Sequence, residues 1–422
     1  LHSFPTRRSS DLFLVKRLFV VALLLVLVAL PAQSVSAQIV VNFWNNFSGG
    51  DGEFMSAMVQ KFNETHPDIR VEVSGVTWDD YYNRLLTSIA GGIGPDVAIM
   101  HTTHVPAYAN QGMLLPLDAE LASRNIPVDD YVESAWTGLN YQGKQYGIPL
   151  DVHPWVMYYN KDILGELGLL NSAGEFEPPT SPEEFRALID TIHAAGHYPL
   201  SVEYVGNSWR GWYAFLKQAG GDVFVGNEVT INSPEALETL TFWASIPLAY
   251  PELVIGYDES VAIFAQGDAA LHFNGVWITG YFEQIDGLNF GVVPWPTLFD
   301  SPAGWANSHA FVVPVQRGGI DKAKMDAVLT FVNWMTENSY MWALAGHIPT
   351  RQSVLESPEF KALPYRPDYA AQAETVVYLP QHPNILEIET ALNEEVQAVT
   401  AGVKTPEEAL KTLEQIIGGL VR

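Results

Sequence analysis

The chain has 422 residues, 22 Lys plus Arg against 48 Asp plus Glu, a formal net charge of −26, and no cysteine. Disulfide frameworks, thiolate metal sites and cysteine nucleophiles are thereby excluded, and a surface this acidic repels phosphate backbones, so no nucleic-acid partner is expected. Hydrophobic residues at 48% and charged residues at 17% fit a packed globular chain and not a disordered one.

The leading 37 residues read as something other than fold. Residues 1–12, LHSFPTRRSSDL, match the translation of a common sequencing-adapter stretch, and an assembly artefact is expected there. Residues 13–37 read as a signal peptide. Lys16 and Arg17 precede the apolar run from Leu18 to Leu30, and Val35-Ser36-Ala37 supplies the small side chains of a cleavage site. The run is shorter than the roughly 20 residues needed to span a bilayer. Setting aside Arg7, Arg8, Lys16, Arg17 and Asp11 takes the net charge from −26 to −29. Export without a cysteine for lipid attachment suits a freely soluble periplasmic or extracytoplasmic protein, not a lipoprotein.

The elements then follow in order. Ile39 to Trp44 is a β-branched strand. Residues 51–66 place Phe54, Met55, Met58, Val59 and Phe62 on one helical face, and Pro67 stops the helix. Ile69, Val71 and Val73 alternate as in a strand. Thr77 can cap a second helix with Leu85, Leu86 and Ile89 inward, closed by Gly91-Gly92. Asp96 to Met100 is a third strand, and Val105 to Gln111 a short helix. This βαβαβ order predicts a parallel sheet with right-handed crossovers.

A second unit starts near residue 150. It has strands at Val156–Tyr159, Ala269–Phe273, Phe290–Val293 and Phe311–Val315, and helices over 321–345 and 383–421. Helix starts are signalled by Thr180 or Ser181 before Pro182, by Ser233-Pro234 and by Thr405-Pro406. The fold class predicted is α/β, with two lobes whose mainly parallel sheets are flanked by helices. Ligands bind beyond the carboxyl ends of such strands, here at residues 44–50, 101–103, near Trp277 and before Phe311.

Enzyme and nucleotide motifs are missing: no G-x-S-x-G elbow, no G-x-G-x-x-G after a strand, no P-loop and no H-E-x-x-H. The run from Ala90 to Pro95 is Gly-rich but follows a helix, which makes it a helix end and not a phosphate cradle. His101 and His104 are spaced as a conceivable metal pair, but no third ligand lies near in sequence, and polar cleft lining is the better reading. No cofactor and no metal are called for. No local pair of carboxylates stands out as a glycosidase would need.

Tryptophan carries more information. Several of the 12 sit among short polar residues: Trp44-Asn45-Asn46, Trp209-Arg210-Gly211-Trp212, Asn274-Gly275-Val276-Trp277 and Gly304-Trp305-Ala306-Asn307. Indole faces match the C–H faces of a sugar, and short polar side chains match its hydroxyl rim. Core packing competes for each single ring, and Trp243 and Trp334 are assigned to the core.

The chain resembles the family 1 extracellular solute-binding proteins of ABC sugar importers, the group that includes maltose-binding protein. The resemblance is carried by FWNNFSGG (43–50), IAGGIGPDVAIMH (89–101), YANQGMLLPLD (108–118), YGIPLDVHPWVMYYNKDIL (146–164), GDAALHFNGVW (267–277), GHIPTRQSV (346–354) and the terminal GVKTPEEALKTLEQI. It implies a periplasmic-binding-protein fold with hinge crossings between two lobes. One lobe comprises residues 38–150 plus 306–345, the other 151–305 plus 346–422. It further implies a monomer that closes on an oligosaccharide or glycoside and delivers it to permease subunits in the membrane, without catalysis. Asn45, Asn46 and Ser48 then face ligand. His101, Thr102 and Thr103 fall where relatives make polar contacts, and Asp151 and His153 lie at the hinge edge. Trp277 stacks on a sugar, and Trp209 and Arg210 come from the second lobe. Two other classes stay open: a binder of a polyamine or metal, and a secreted glycoside hydrolase.

Overall fold

A computed structural model describes residues 38–422 except 48, 49, 76, 77 and 125. The leader, the signal peptide, Ser48 and the Thr77 cap lie outside the described residues.

Strand β1 (Ile39–Asn45) leads to helix α1 (Gly50–Thr65), strand β2 (Ile69–Gly75), helix α2 (Trp78–Gly91) and strand β3 (Val97–His101). β1 pairs in parallel with both β2 and β3. Val41 and Phe43 point to the side that α1 covers with Met55, Met58, Val59 and Phe62, all buried. Each such side chain contributes about 1.5–3 kcal/mol of burial. The other face packs on Tyr81, Leu85 and Ile89 of α2. A short helix α3 (Val105–Asn110) follows, and strand β4 (Gly147–Pro149) sits at the sheet's far edge.

Strand β5 (Asp151–Asn160), buried along its whole length, belongs to a second sheet. There it meets helix α4 (Pro182–Ala194), strand β6 (Tyr198–Val202), helices α5 (Trp209–Gln218), α6 (Pro234–Ala249) and α7 (Tyr257–Ala265), and strands β7 (Ala269–Gly275), β8 (Phe290–Pro294) and β9 (Gly304–Asn307). The chain returns to the first sheet as β10 (His309–Val312), then forms helices α8 (Lys322–Glu337) and α9 (Tyr340–Ala343). Strand β11 (Ile348–Pro349), strand β12 (Val376–Val377) and helices α10 (Ile385–Thr400) and α11 (Pro406–Leu420) complete it. The first sheet runs β2-β1-β3-β10-β4, and the second β12-β9-β5-β7-β6, with β8 and β11 also pairing β5.

Two α/β layers with crossings agree with the predicted class, but parallel strands do not dominate the second sheet. β5 is antiparallel to β7, β8, β9 and β11, and only β6–β7 and β9–β12 run parallel. The physical cause is that β5 enters from the first sheet by a direct crossing, not by a crossover helix. The helix predicted over 321–345 breaks into α8 and α9 after Glu337, and that over 383–421 breaks between α10 and α11.

Helix starts fall where the capping residues stand. The Ser181, Ser233 and Thr405 side chains accept from the backbone N–H three residues on. At α11 the pair is reciprocal: Glu408 N donates to Thr405 Oγ1 (3.3 Å), and Thr405 N donates to Glu408 Oε2 (3.0 Å). Thr405→Ala removes the side-chain acceptor for Glu408 N, leaves the backbone N–H that donates to Glu408, and is expected to lower stability by about 1 kcal/mol in urea unfolding. A loss below a few tenths would show that Pro406 alone fixes the start.

Candidate functional site

Three chain segments pass between the sheets side by side. β4 continues through Leu150 into β5, β9 continues through Ser308 into β10, and the third reaches β11 through His347. Leu150 N donates to the His309 carbonyl (2.7 Å), Ser308 Oγ donates to the Asp151 carbonyl, and Ile348 is in register with Val152. These pairings place Asp151, His153, His309 and His347 in one buried cluster, although they are up to 196 positions apart in sequence.

Asp151 is fully buried and is the hub. Its Oδ1 accepts from His153 Nδ1 (2.8 Å) and His309 N (3.0 Å), and its Oδ2 from His309 Nδ1 (2.8 Å) and Trp342 Nε1 (2.6 Å). Burial by itself opposes ionisation, yet His309, His347 and His153 around it hold the carboxyl well below the usual carboxylate range. Burial lowers the His153 imidazole to about 4, helped by the neighbouring His309 and opposed by Asp151. The same desolvation lowers His101 and His347 well below the usual histidine range. His347 is stacked on Trp342 at 4.3 Å, and neither ring nitrogen has a hydrogen-bond partner.

Around this hub the two lobes meet. From the first sheet, Asn45 turns the chain after β1 by accepting from Phe47 N (3.2 Å), and Phe47 packs edge-on to His309 at 4.8 Å. Asn46 is buried beside it, its Oδ1 without a partner. His101 closes β3, its Nδ1 2.6 Å from Tyr82 Oη and its ring 4.7 Å from His309 and 5.3 Å from His153. Thr102 Oγ1 donates to the Ser308 carbonyl (3.1 Å), and Thr103 Oγ1 accepts from Asn307 Nδ2 (2.9 Å). His104 Nε2 lies 3.3 Å from Glu389 of α10, a contact between the lobes.

From the second sheet, Trp277 follows β7 in a short turn and remains partly exposed. Its Nε1 donates to Tyr257 Oη (3.0 Å), and its ring stands edge-on to His153 at 5.7 Å. The indole lies so close over Gly275 that a Cβ there would be 1.9 Å from the ring, which accounts for glycine in Asn-Gly-Val-Trp. Arg210 stacks over Trp305 at 4.4 Å and near Trp209 at 6.0 Å. Desolvation lowers its pKa, against the pull of Glu203 and Glu389. Burial raises the Glu203 carboxyl, which Arg210 partly offsets.

The predicted residues are therefore brought together unevenly. His101, Thr102, Thr103, Asp151, His153, Arg210 and Trp277 surround the hub or its approach, with Asn45 and Asn46 behind Phe47. Trp44 faces α2, where the Arg84 guanidinium lies 5.1 Å over its ring. Trp209 and Trp305 are buried, and Trp209 opens helix α5 instead of sitting at a strand end or turn. Gly211 was the misleading signal. It admits the Trp243 ring, which a Cβ would meet at 2.9 Å, and does not break the helix. Sequence reading missed His309, His347, Trp342, Tyr257 and Glu389. His309 stands just before Phe311, at a position marked as a strand edge, and His347 within the GHIPTRQSV stretch quoted for the resemblance, but only the crossings reveal that they share a site with Asp151.

Two α/β lobes joined by three crossings, with polar and aromatic groups between them, define a hinge-type binding protein. The family model described as bacterial extracellular solute-binding protein matches residues 47–342, and this chain belongs to that family. The maltotriose-binding protein of Pyrococcus abyssi is 24% identical over 362 residues, covering 84% of this chain and 75% of the relative. An arabinooligosaccharide-binding protein of Halalkalibacterium halodurans is 24% identical over 410 residues, covering 90% and 84%. The acarbose-binding GacH receptor of Streptomyces glaucescens superposes with a TM-score of 0.80 at 21% identity, covering 91% of this chain and 98% of that one. Among the described residues, no helix is long and apolar enough to cross a membrane.

Proposed function

We propose that this protein binds a carbohydrate, an oligosaccharide or glycoside, between its lobes by hinge closure, and hands it to the membrane permease of an ABC importer without catalysing a reaction. The observation that carries this is Trp277. A partly exposed indole, fixed by its bond to Tyr257 and backed by Gly275, presents an apolar face beside His153 in a site otherwise lined by short polar and imidazole groups. Such a pairing recognises a sugar's C–H face and hydroxyl rim. Relatives named for maltotriose and arabinooligosaccharide support the substrate class.

Sheet membership supports lobes of residues 38–150 with 306–345 and 151–305 with 346–422 except at 306–307, which β9 keeps in the second sheet, so that the second crossing falls at Ser308. A ligand that contacts both lobes shifts the population to the closed form by its differential affinity. The family's extracellular role and the apolar run at Leu18–Leu30 support export of the chain.

The test is titration calorimetry against a panel of oligosaccharides and glycosides. At least one is expected to bind, and Trp277→Ala is expected to weaken it by about tenfold or more, the stacking increment plus lost burial. Binding of a polyamine or phosphorylated solute with no sugar bound would overturn the substrate class. Turnover of a chromogenic glycoside would overturn the absence of catalysis.

A further inference from the structure

The three crossings carry one histidine each into the same buried space, and one carboxylate joins them. His153 lies at the start of β5, His309 at the start of β10, and His347 just before β11, with Asp151 between them. One ligand atom from each of the four residues lies within 4.8 Å of the other three, and all four side chains are buried. We propose that Asp151, His153, His309 and His347 bind one divalent transition-metal ion of the zinc class, which ties the three hinge crossings together.

The donor set fits. Three imidazoles and one carboxylate are a borderline-soft, four-coordinate complement for zinc, and unsuited to calcium or magnesium, which take oxygen. His347 supplies the independent pointer. A neutral imidazole always has one N–H and one bare nitrogen. At His347 both are fully buried and neither has a hydrogen-bond partner, although Nε2 is 3.9 Å from Asp151 Oδ2. Leaving two polar atoms of one ring unmatched is costly, and a coordinated ion would match at least one of them.

The surroundings of Asp151 fit too. Ligating carboxylates are held by outer hydrogen bonds. Here Trp342 Nε1 and His309 N fill that role, one on each carboxylate oxygen, and leave further lone pairs directed among the three rings. Trp342 also stacks on His347 and packs against Phe47 at 4.7 Å, which fixes the ring from behind. The two Asp151–histidine contacts at 2.8 Å are shorter than the roughly 3.3 Å between neighbouring donors of a tetrahedral ion about 2.0 Å from each, so the donors need move apart by only about 0.5 Å to admit one.

The experiment uses the full chain without a polyhistidine tag, dialysed against chelator and titrated with Zn²⁺ in the absence of sugar. Sugar binding is measured in parallel, so failure of one assignment leaves the other standing. The expected result is one ion per chain with Kd below about 1 μM, a level ordinary for built zinc sites. The near-isosteric His347→Gln is expected to weaken it at least tenfold, while His193→Gln, which removes an exposed histidine, leaves it unchanged. Co²⁺ in place of Zn²⁺ is expected to give the intense visible absorption of a four-coordinate site. Uptake only at higher concentration, affinity unmoved by His347→Gln, or a pale six-coordinate Co²⁺ spectrum overturns the proposal. If His347→Gln does not fold, the stoichiometry, affinity and Co²⁺ spectrum of the unaltered chain decide alone.

Discussion

Asp151→Ala, studied in chelator-treated protein, is expected to cost about 3–5 kcal/mol of stability, the scale for removing one partner of a buried charged network. Four donors converge on this carboxylate: the rings of His153 and His309, the His309 backbone N–H and the Trp342 indole. Alanine leaves each without an acceptor in a site closed to water, and every stranded donor costs about 1–3 kcal/mol before relaxation. The loss is cooperative because the donors come from two crossings and from helix α9, which leads into the third. Asp151→Asn is expected to fall between the two, since an amide keeps acceptor oxygen on one side and turns an N–H toward a donor on the other. Urea unfolding monitored by tryptophan fluorescence measures this. A loss of less than about 1 kcal/mol for alanine would mean that the network does not hold the hinge.

Acidification from pH 8 to pH 5 is expected to destabilise the protein through histidines buried in neutral form. His272 in the middle of β7 is the clearest. Its Nδ1 faces the Ser201 carbonyl at 2.9 Å, its Nε2 lies 3.1 Å from the Asn274 amide nitrogen, and Phe264 stacks on it at 5.2 Å. The Asn274 N–H therefore donates to a bare Nε2, and a proton there would displace it. Burial lowers the pKa to about 3, with the Ser201 carbonyl opposing. In the unfolded chain the ring titrates near 6.5. The unfolded state then binds more protons between these values, so stability is fully present above about 6.5 and falls as pH drops toward 3. At pH 5 the His272 contribution alone is about 2 kcal/mol. His153, lowered to about 4, adds a loss of the same sign, and His101 and His347 shift in the same direction. Urea midpoints at pH 8 and pH 5, in chelator, test this. His272→Gln, which takes no proton, is expected to flatten the difference by about the same 2 kcal/mol. A stability unchanged across that range would show that these rings are solvated.

How much was legible follows from how local each feature is. The first three strands and two helices could be read because Ile69, Val71 and Val73 alternate and Met55, Met58 and Phe62 recur at helical spacing. β5 was recognised only over Val156–Tyr159, whereas it starts at Asp151. Its first half is Asp-Val-His-Pro, polar in sequence yet buried, because those residues satisfy one another across the crossings and not by alternation. The tryptophans near Gly, Asn and Ser looked alike in sequence. Burial separates Trp277, which keeps a partly exposed face, from Trp209 and Trp305, which pack on one another. Such a difference is set by distant residues, Arg210 covering Trp305 among them. The histidine cluster is the extreme case: His153, His309 and His347 have no common local pattern, and only topology unites them.

The position of β10 has a consequence for how the chain is made. It lies between β3 and β4, so the first sheet is open at its centre until residues 309–312 are available, more than 200 positions after β3. An incoming chain therefore completes neither sheet early: the second waits for β11 and β12 as well. Folds that depend on such remote pairings form slowly, because loop closure must precede the contacts that reward it. Under the proposed export, in which the chain crosses a membrane as an extended polypeptide, such slowness would be useful: the nascent chain would stay thin enough to be translocated, and the hinge would be a late checkpoint of assembly on the far side.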